Sequence, residues 1–459
     1  MRIIYFDLDC LRPDHLGCYG YQRPTSPAID AIAKQGVIFE HYNCSSSPCL
    51  PSRAALFSGR FGIRNGVCAN EGIGNKFYLR TNDYWGTQPD NEMFVRQLRR
   101  HGYDTISFSN FADRHNAFWF MCGWSEYHTP NLKGGGELAE EVNVPVLNWL
   151  KHNGARENYF LHINYWDAHR PYHMDPSWLN NVKDAPIQKW PDEKLIKEHG
   201  KLEGRFTAMN IFPNGKSKVP QLMPGCVASR EDFKFLINGY DAAIAYINNH
   251  MKVVLDELDR QGLLDDTAII VSGDHGDAFG EHGIYSDHVC ADECIHRVPF
   301  VIKWPGVSKP GHKSAALLYN VDFAPTICDL LGIPPAEDWD GKSFKEHIQG
   351  KPGIDRDYIV WDHSHYPVQR CVRTKTHLFM RTYDPHGYHF KPVELYNMVE
   401  DPYQEKDVSA QYPEIVKECS YLMNEWIHEQ RAKGFCIPDP LEETLRERGR
   451  LEQKSPKFG

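Results

Sequence analysis

The chain opens on an alternating run. In residues 2–9, Arg-Ile-Ile-Tyr-Phe-Asp-Leu-Asp, the side chains of Ile4, Phe6 and Leu8 point one way and those of Ile3, Tyr5, Asp7 and Asp9 the other. The apolar residues predict a buried strand. Two carboxylates on one face at its C-terminal end fit a ligand site at the edge of an α/β sheet. Ser26-Pro27 then predicts a helix start and Gly36 its end. Val37–Tyr42 reads as a short strand, about Asn91–His101 as a helix, Asp104–Ser109 as a strand, about Leu138–Lys151 as a helix and Tyr159–Asn164 as a strand. Alternation of this kind predicts an α/β fold, a large mostly parallel sheet sandwiched by helices.

From Arg170 to Glu231 the periodicity fades and Pro, Lys, Asn and Gly dominate. A loop-rich stretch this long reads as a functional insertion, 170–231, facing whatever the protein binds. Phe233–Leu258 returns to a long amphipathic helix, Asp266–Ser272 and Pro299–Trp304 read as strands and Val321–Leu331 as a helix. Gly350-Lys351-Pro352-Gly353 marks a break, so a large unit, 1–350, is expected before a smaller one, 351–459. The short runs Tyr358–Trp361, Arg370–Thr374 and Thr376–Arg381, with a helix at Tyr412–Lys433, predict a C-terminal α+β subdomain carrying a short antiparallel sheet.

Composition narrows the class. A chain of 459 residues, 41% hydrophobic and 24% charged, is of globular type, with room for one large and one small domain. A net charge of −10 and a pI near 6.1 speak against a polyanion-wrapping protein. No nucleic-acid partner is expected, while a local basic pocket for one anionic group stays open. Two acids sit where a signal peptide needs an apolar run, and no stretch of about 18 apolar residues occurs. The expectation is therefore no membrane span and a cytoplasmic location. The 13 cysteines are scattered without a Cys-x-x-Cys pair, which fits reduced thiols.

The candidate chemistry centres on Cys49-Leu50-Pro51-Ser52-Arg53-Ala54-Ala55-Leu56-Phe57-Ser58-Gly59-Arg60. Pro51 fits a first helical position. Cys49 is then at the N-terminus of a Ser52–Ser58 helix, where backbone N–H groups and the dipole favour an anion. Arg53 adds a fixed positive charge one turn in. Gly273-Asp274-His275-Gly276-Asp277 follows the strand at Asp266–Ser272 directly. Taken alone, Cys49 reads as readily as a buried thiol before an ordinary helix.

The combination resembles the type I sulfatases of the alkaline-phosphatase-like superfamily. Cys49-x-Pro51-Ser52-Arg53 with Gly59-Arg60 is similar to their signature, Leu11–Gly20 to their N-terminal stretch and Asp274-His275-Gly276 to their second metal motif. Glu394-Leu395-Tyr396-Asn397 with Asp401-Pro402 is similar to a stretch of their C-terminal subdomain. The resemblance spans residues 1–60, about 100–175, 235–305 and, weakly, 355–405. It implies a catalytic domain over 1–350. It also implies that a formylglycine-generating or radical maturase oxidises Cys49 to formylglycine, whose hydrate attacks sulfur. One divalent cation would be held by Asp7, Asp9, Cys49, Asp274 and His275. Calcium is usual in the family, while a His at the fourth place is closer to phosphonate and phosphodiester hydrolase relatives that hold manganese or zinc. The usual adjacent Asp-Asp pair is absent. This chain has Asp7-Leu8-Asp9-Cys10, in which Asp9 matches better than Asp7.

The resemblance extends to basic residues. His169, in Trp166-Asp167-Ala168-His169-Arg170-Pro171-Tyr172, matches a His-x-Pro that contacts the sulfate or leaving oxygen. His115 lies where the family has Lys near His, with Arg114 in place of the Lys charge. His288 stands nine residues before Arg297-Val298-Pro299, where relatives place a Lys, and His282 in Gly280-Glu281-His282-Gly283 is a further candidate. Read singly, each of these also fits a structural histidine. The implied function is hydrolysis of a sulfate ester or sulfamate on a carbohydrate, with a glycosaminoglycan-derived saccharide as substrate. Open alternatives are a phosphonate monoester or phosphodiester hydrolase, and an anion-binding protein whose Cys49 stays unmodified.

Overall fold

The computed structural model describes residues 1–78, 93–212, 222–433 and 438–454. At its centre is the strand Arg2–Leu8, parallel to Tyr159–Tyr165 on one side and to Thr267–Gly273 on the other. Ile4, Phe6 and Leu8 enter one hydrophobic core and Ile3 and Tyr5 a second, on the opposite face of the sheet. The full strand order is His312–Ser314, Val37–Asn43, Arg297–Lys303, Thr267–Gly273, Arg2–Leu8, Tyr159–Tyr165, Asp104–Phe108, Glu126–His128, with Leu318–Tyr319 also paired to Val37–Asn43. Arg297–Lys303 runs antiparallel to both of its neighbours, and the other pairs are parallel. Helices Pro27–Gln35, Ala139–Asn153 and Arg230–Arg260 supply apolar residues to the first core, and Cys49–Ser58, Phe94–Arg100 and Phe323–Leu330 to the second. The result is the expected helix-covered, mostly parallel sheet.

Some local expectations shift, each for a physical reason. The helix after the signature cysteine begins at Cys49 and places Pro51 third rather than first. The first turn still leaves that backbone position without an obligatory partner, so proline costs little there. Gly36 follows the helix Pro27–Gln35 in extended backbone rather than a left-handed cap. A Cβ at Gly36 would fall 2.2 Å from the Ile302 carbonyl oxygen, so this glycine serves a close passage beside a strand. Ser26 makes no cap bond; its hydroxyl donates to Asp30 and accepts from the Gly17 N–H. The helix expected at about Asn91–His101 runs over Phe94–Arg100, and positions 91 and 92 lie outside the described residues. The stretch 170–231 contains a 3-10 turn, Pro176–Asn181, and a helix, Glu193–His199, with 213–221 outside the described residues.

A second sheet has the order Val393–Asn397, His377–Asp384, Val368–Thr374, Tyr358–His363, all antiparallel. Its fifth strand is Ser46–Ser47, parallel to Tyr358–His363. The C-terminal sheet is thus hydrogen-bonded to the residues immediately before Cys49. Among the described residues every cysteine is a free thiol, and no helix is long and apolar enough to cross a membrane.

Candidate active site

Arg53 organises the site from beneath. It is 1% exposed. Its Nε and Nη2 donate to Asp7 Oδ2 and Oδ1 at 2.6 and 2.9 Å, and its Nη1 donates to Asp9 Oδ2 at 3.0 Å and Asp274 Oδ2 at 2.6 Å. The guanidinium lies over the rings of Phe111 and Trp166. Asp7 and Asp9 come from the end of one strand and Asp274 from the end of the next, so parallel pairing brings them level. Three buried carboxylates face one guanidinium. Burial opposes ionisation of Asp9, but Arg53, His169 and His275 outweigh it and hold this carboxyl well below the usual range. At Asp274 burial, with Asp9 and Asp7 close by, outweighs Arg53 and pushes the carboxyl well above its usual range. A divalent cation in this space would relieve that crowding of negative charge.

Cys49 sits above this cluster at the first turn of its helix, 1% exposed, with Sγ 3.1 Å from His275 Nε2. His275 Nδ1 is 2.9 Å from the Gly276 carbonyl, which only accepts. Nδ1 therefore carries the hydrogen, and the Nε2 lone pair faces Cys49 and Asp274 Oδ2, the latter at 3.5 Å. This is how a metal-binding histidine is oriented. Ligand atoms of Asp9, Cys49, Asp274 and His275 all lie within 4.8 Å of one another, so the donors fit one cation. Asp7 stands apart from that group: both of its oxygens accept from Arg53, and Oδ2 also pairs with His162 Nε2 at 3.2 Å. Burial, with Asp9 and Asp274 nearby, pushes the Cys49 thiol well above its ordinary value. As a plain cysteine it is a protonated thiol, a poor nucleophile.

A cavity of about 670 Å³ opens over Cys49, and His115, His169 and His288 line it. His288 Nδ1 is 2.8 Å from Asp277 Oδ1. Burial works against its charged form, but Asp287 and Asp277 outweigh burial and raise its pKa. His169 is in the opposite state. Its Nδ1 meets the Arg170 carbonyl and its Nε2 accepts from Arg114 Nη2 at 3.0 Å. Burial and then Arg114 push it down to about 3, so it is neutral, with its proton directed at backbone. His115 Nε2 is buried without a partner, and burial with Arg114 lowers its pKa well below the ordinary value. His282 does not line this cavity. It is 2.7 Å from Asp292 and lies between Phe390 and Tyr396, under the second sheet.

The sequence reading assigned no role to Asp277, Asp287, His365 or Tyr366. Asp277 stood in the quoted motif, two residues past His275. His365 and Tyr366 reach the cavity from the turn after Tyr358–His363, a placement that no local pattern announces. Asn116, Phe206 and Tyr366 in the cavity wall have positive φ of 52°, 60° and 69°. Such backbone is costly for bulky residues and gathers at functional sites.

The sulfatase family model matches residues 2–333, and a model described as the C-terminal part of N-sulphoglucosamine sulphohydrolase matches 280–432. The chain belongs to the sulfatase family and is a sulfuric ester hydrolase. One relative is an N-acetylglucosamine-6-O-sulfatase of Bacteroides thetaiotaomicron, 24% identical over 92% of this chain and 86% of its own length. Among solved structures, one in complex with its substrate D-glucosamine-2-N,6-O-disulfate superposes with a TM-score of 0.76 at 19% identity, covering 96% of this chain and 99% of that one. The phosphonate monoester hydrolase of Agrobacterium radiobacter shares the fold at a TM-score of 0.69 and 18% identity, covering 94% and 95%.

Proposed function

We propose that the protein hydrolyses a sulfate ester or sulfamate of a glycosaminoglycan-derived saccharide through a formylglycine hydrate made from Cys49, beside one divalent cation. The observation that carries this reading is the meeting of Cys49 Sγ, His275 Nε2 and the carboxylates of Asp9 and Asp274 around one small space, with Arg53 bridging the carboxylates. Asp9, Asp274, His275 and the oxidised Cys49 side chain would hold the cation, and Asp7 anchors Arg53 instead. Bound there, the cation would neutralise sulfate oxygens and polarise the diol. Two carboxylates and an imidazole suit manganese or zinc at least as well as calcium. One hydroxyl of the hydrate is the nucleophile and the other is the handle for eliminating sulfate, so no water need attack a sulfated enzyme.

His288, charged and held by Asp277, gives its proton to the leaving sugar oxygen. His169, neutral with its N–H on the Arg170 carbonyl and its lone pair on Arg114, positions the Arg114 guanidinium rather than contacting sulfate itself. His115 faces the same cavity as a neutral contact, and His282 is structural. The saccharide class rests on the relatives, an N-acetylglucosamine-6-O-sulfatase and a structure bound to a disulfated glucosamine. Intact-mass analysis tests the nucleophile, because conversion of Cys49 lowers the mass by about 18 Da. An active preparation with unmodified Cys49 refutes the mechanism. His275 and the phosphonate monoester hydrolase neighbour favour one rival, a phosphonate hydrolase. Greater turnover of an aryl phosphonate than of an aryl sulfate would establish it.

A further inference from the structure

Beside the Cys49 cavity lies a second one of about 490 Å³, and Arg114, His169 and Arg170 line both. Its size alone falls within the range of small-molecule sites. Arg114 lies on the sill between the two. Its guanidinium stacks on Trp166 at 4.8 Å, and its Nη1 donates to the Gly134 carbonyl at 2.9 Å. The turn that clamps it needs glycine: Gly135 has φ +90°, and a Cβ there would fall 2.1 Å from Arg114 Nη1. Among the described residues, no carboxylate stands within ion-pair distance of Arg114.

The acids nearby are otherwise engaged. The Glu137 carboxylate accepts from Asn110 Nδ2 and from the backbone N–H groups of Lys133 and Gly135. Glu141 is taken by Lys133. Asp167 Oδ1 accepts from the Ala139 N–H, and burial pushes that carboxyl up to about 7. Asp167 Oδ2 and Trp166 Nε1, both on residues lining the cavity, are buried without partners. A half-buried guanidinium fixed against Trp166 and Gly134 with no acid partner, next to the unpaired Trp166 N–H donor, is suited to an anionic oxygen ligand.

We propose that this second cavity receives the sugar unit adjoining the one that carries the scissile sulfate, and that Arg114 binds an anionic group on it. This rests on the saccharide reading above and adds a requirement to it: the substrate is an oligosaccharide with a second negative charge, a uronate carboxylate or a further sulfate.

The test compares kcat/KM for a sulfated glucosamine, for the same sugar extended by a uronic acid, and for the same sugar extended by a neutral hexose. A disaccharide whose second unit carries sulfate separates the two anion types. An anionic extension should outperform the neutral one by roughly tenfold or more. Arg114→Gln should erase that advantage. His173→Trp, which fills the second cavity from its rim, should lower both disaccharides relative to the monosaccharide. Calorimetric binding to the inert Cys49→Ala variant should rank the ligands the same way. Equal kcat/KM for anionic and neutral extensions, or an advantage that survives Arg114→Gln, overturns the subsite. If no saccharide is turned over or bound although Cys49 is converted, the saccharide reading itself fails.

Discussion

Arg53 and Arg370 are both buried and both gather carboxylates, but in different settings. Arg370 lies on a strand directly opposite Asp362. Its Nε donates to Asp362 at 2.5 Å, and its Nη1 and Nη2 donate to both oxygens of Asp439, just before the helix Pro440–Lys454. Two carboxylates meet one guanidinium, and the cluster ties the C-terminal sheet to that helix. Arg53 meets three carboxylates, from two strand ends, beneath a cavity. The first arrangement closes on itself. The second leaves surplus negative charge facing Cys49 and His275, which fits a site that takes a cation. Both arginines are outnumbered by carboxylates, and what separates them is that only at Arg53 does the surplus charge border a cavity open to a ligand.

The comparison can be broken at several points. Cys49→Ala should leave no turnover above background while keeping a native circular-dichroism spectrum and melting transition; near-normal activity sinks the proposed nucleophile. Asp274→Asn should remove most bound metal and most activity, read by elemental analysis. Asp362→Asn at the other cluster should leave metal content alone. His288→Ala should slow sugar sulfates by about 10²–10⁴ and nitrophenyl sulfate far less, because only a poor leaving group needs the proton. The acid form of His288 is the active one and its pKa is raised above the ordinary 6.5. Activity on sugar sulfates should therefore fall as pH rises through that raised value. His288→Lys should move the limb upward.

Smaller effects concern stability. Arg370→Ala should cost about 3–5 kcal/mol of unfolding free energy, as expected when one partner of a buried ion pair is removed, with kcat per folded molecule retained. A large loss of kcat would join the two clusters functionally and refute the contrast. His296 is fully buried, bonded to Ser47 Oγ and the Cys44 carbonyl, and burial pushes it down to about 3. Below the ordinary 6.5 the unfolded chain takes up a proton that the folded chain refuses. Stability should then decline as pH falls from 6.5 toward 3. Replacing His296 by Gln should flatten that slope in urea titrations, and an unchanged slope would assign it to other groups.

The alternation in residues 2–9 is local, and it already placed Ile4, Phe6 and Leu8 in one core, Ile3 and Tyr5 in the other, and Asp7 and Asp9 together at a strand end. The order of strands and helices was legible for the same reason, since period-2 and period-3.6 patterns report burial wherever the chain goes. Which neighbour each polar residue faces was decided by tertiary structure. Asp7 and Asp9 share a strand face, yet Arg53 takes both oxygens of Asp7 and only one of Asp9, which stays grouped with Cys49, Asp274 and His275. His282 and His288 are six residues apart; one lies against Asp292 under the second sheet and the other lines the cavity. His365 and Tyr366 reach that cavity because Ser46–Ser47 pairs with Tyr358–His363 more than 300 residues away in the chain. A side chain's partner at a strand end is fixed by loops and sheets brought together across the whole chain, and no periodicity within a window of residues encodes those contacts.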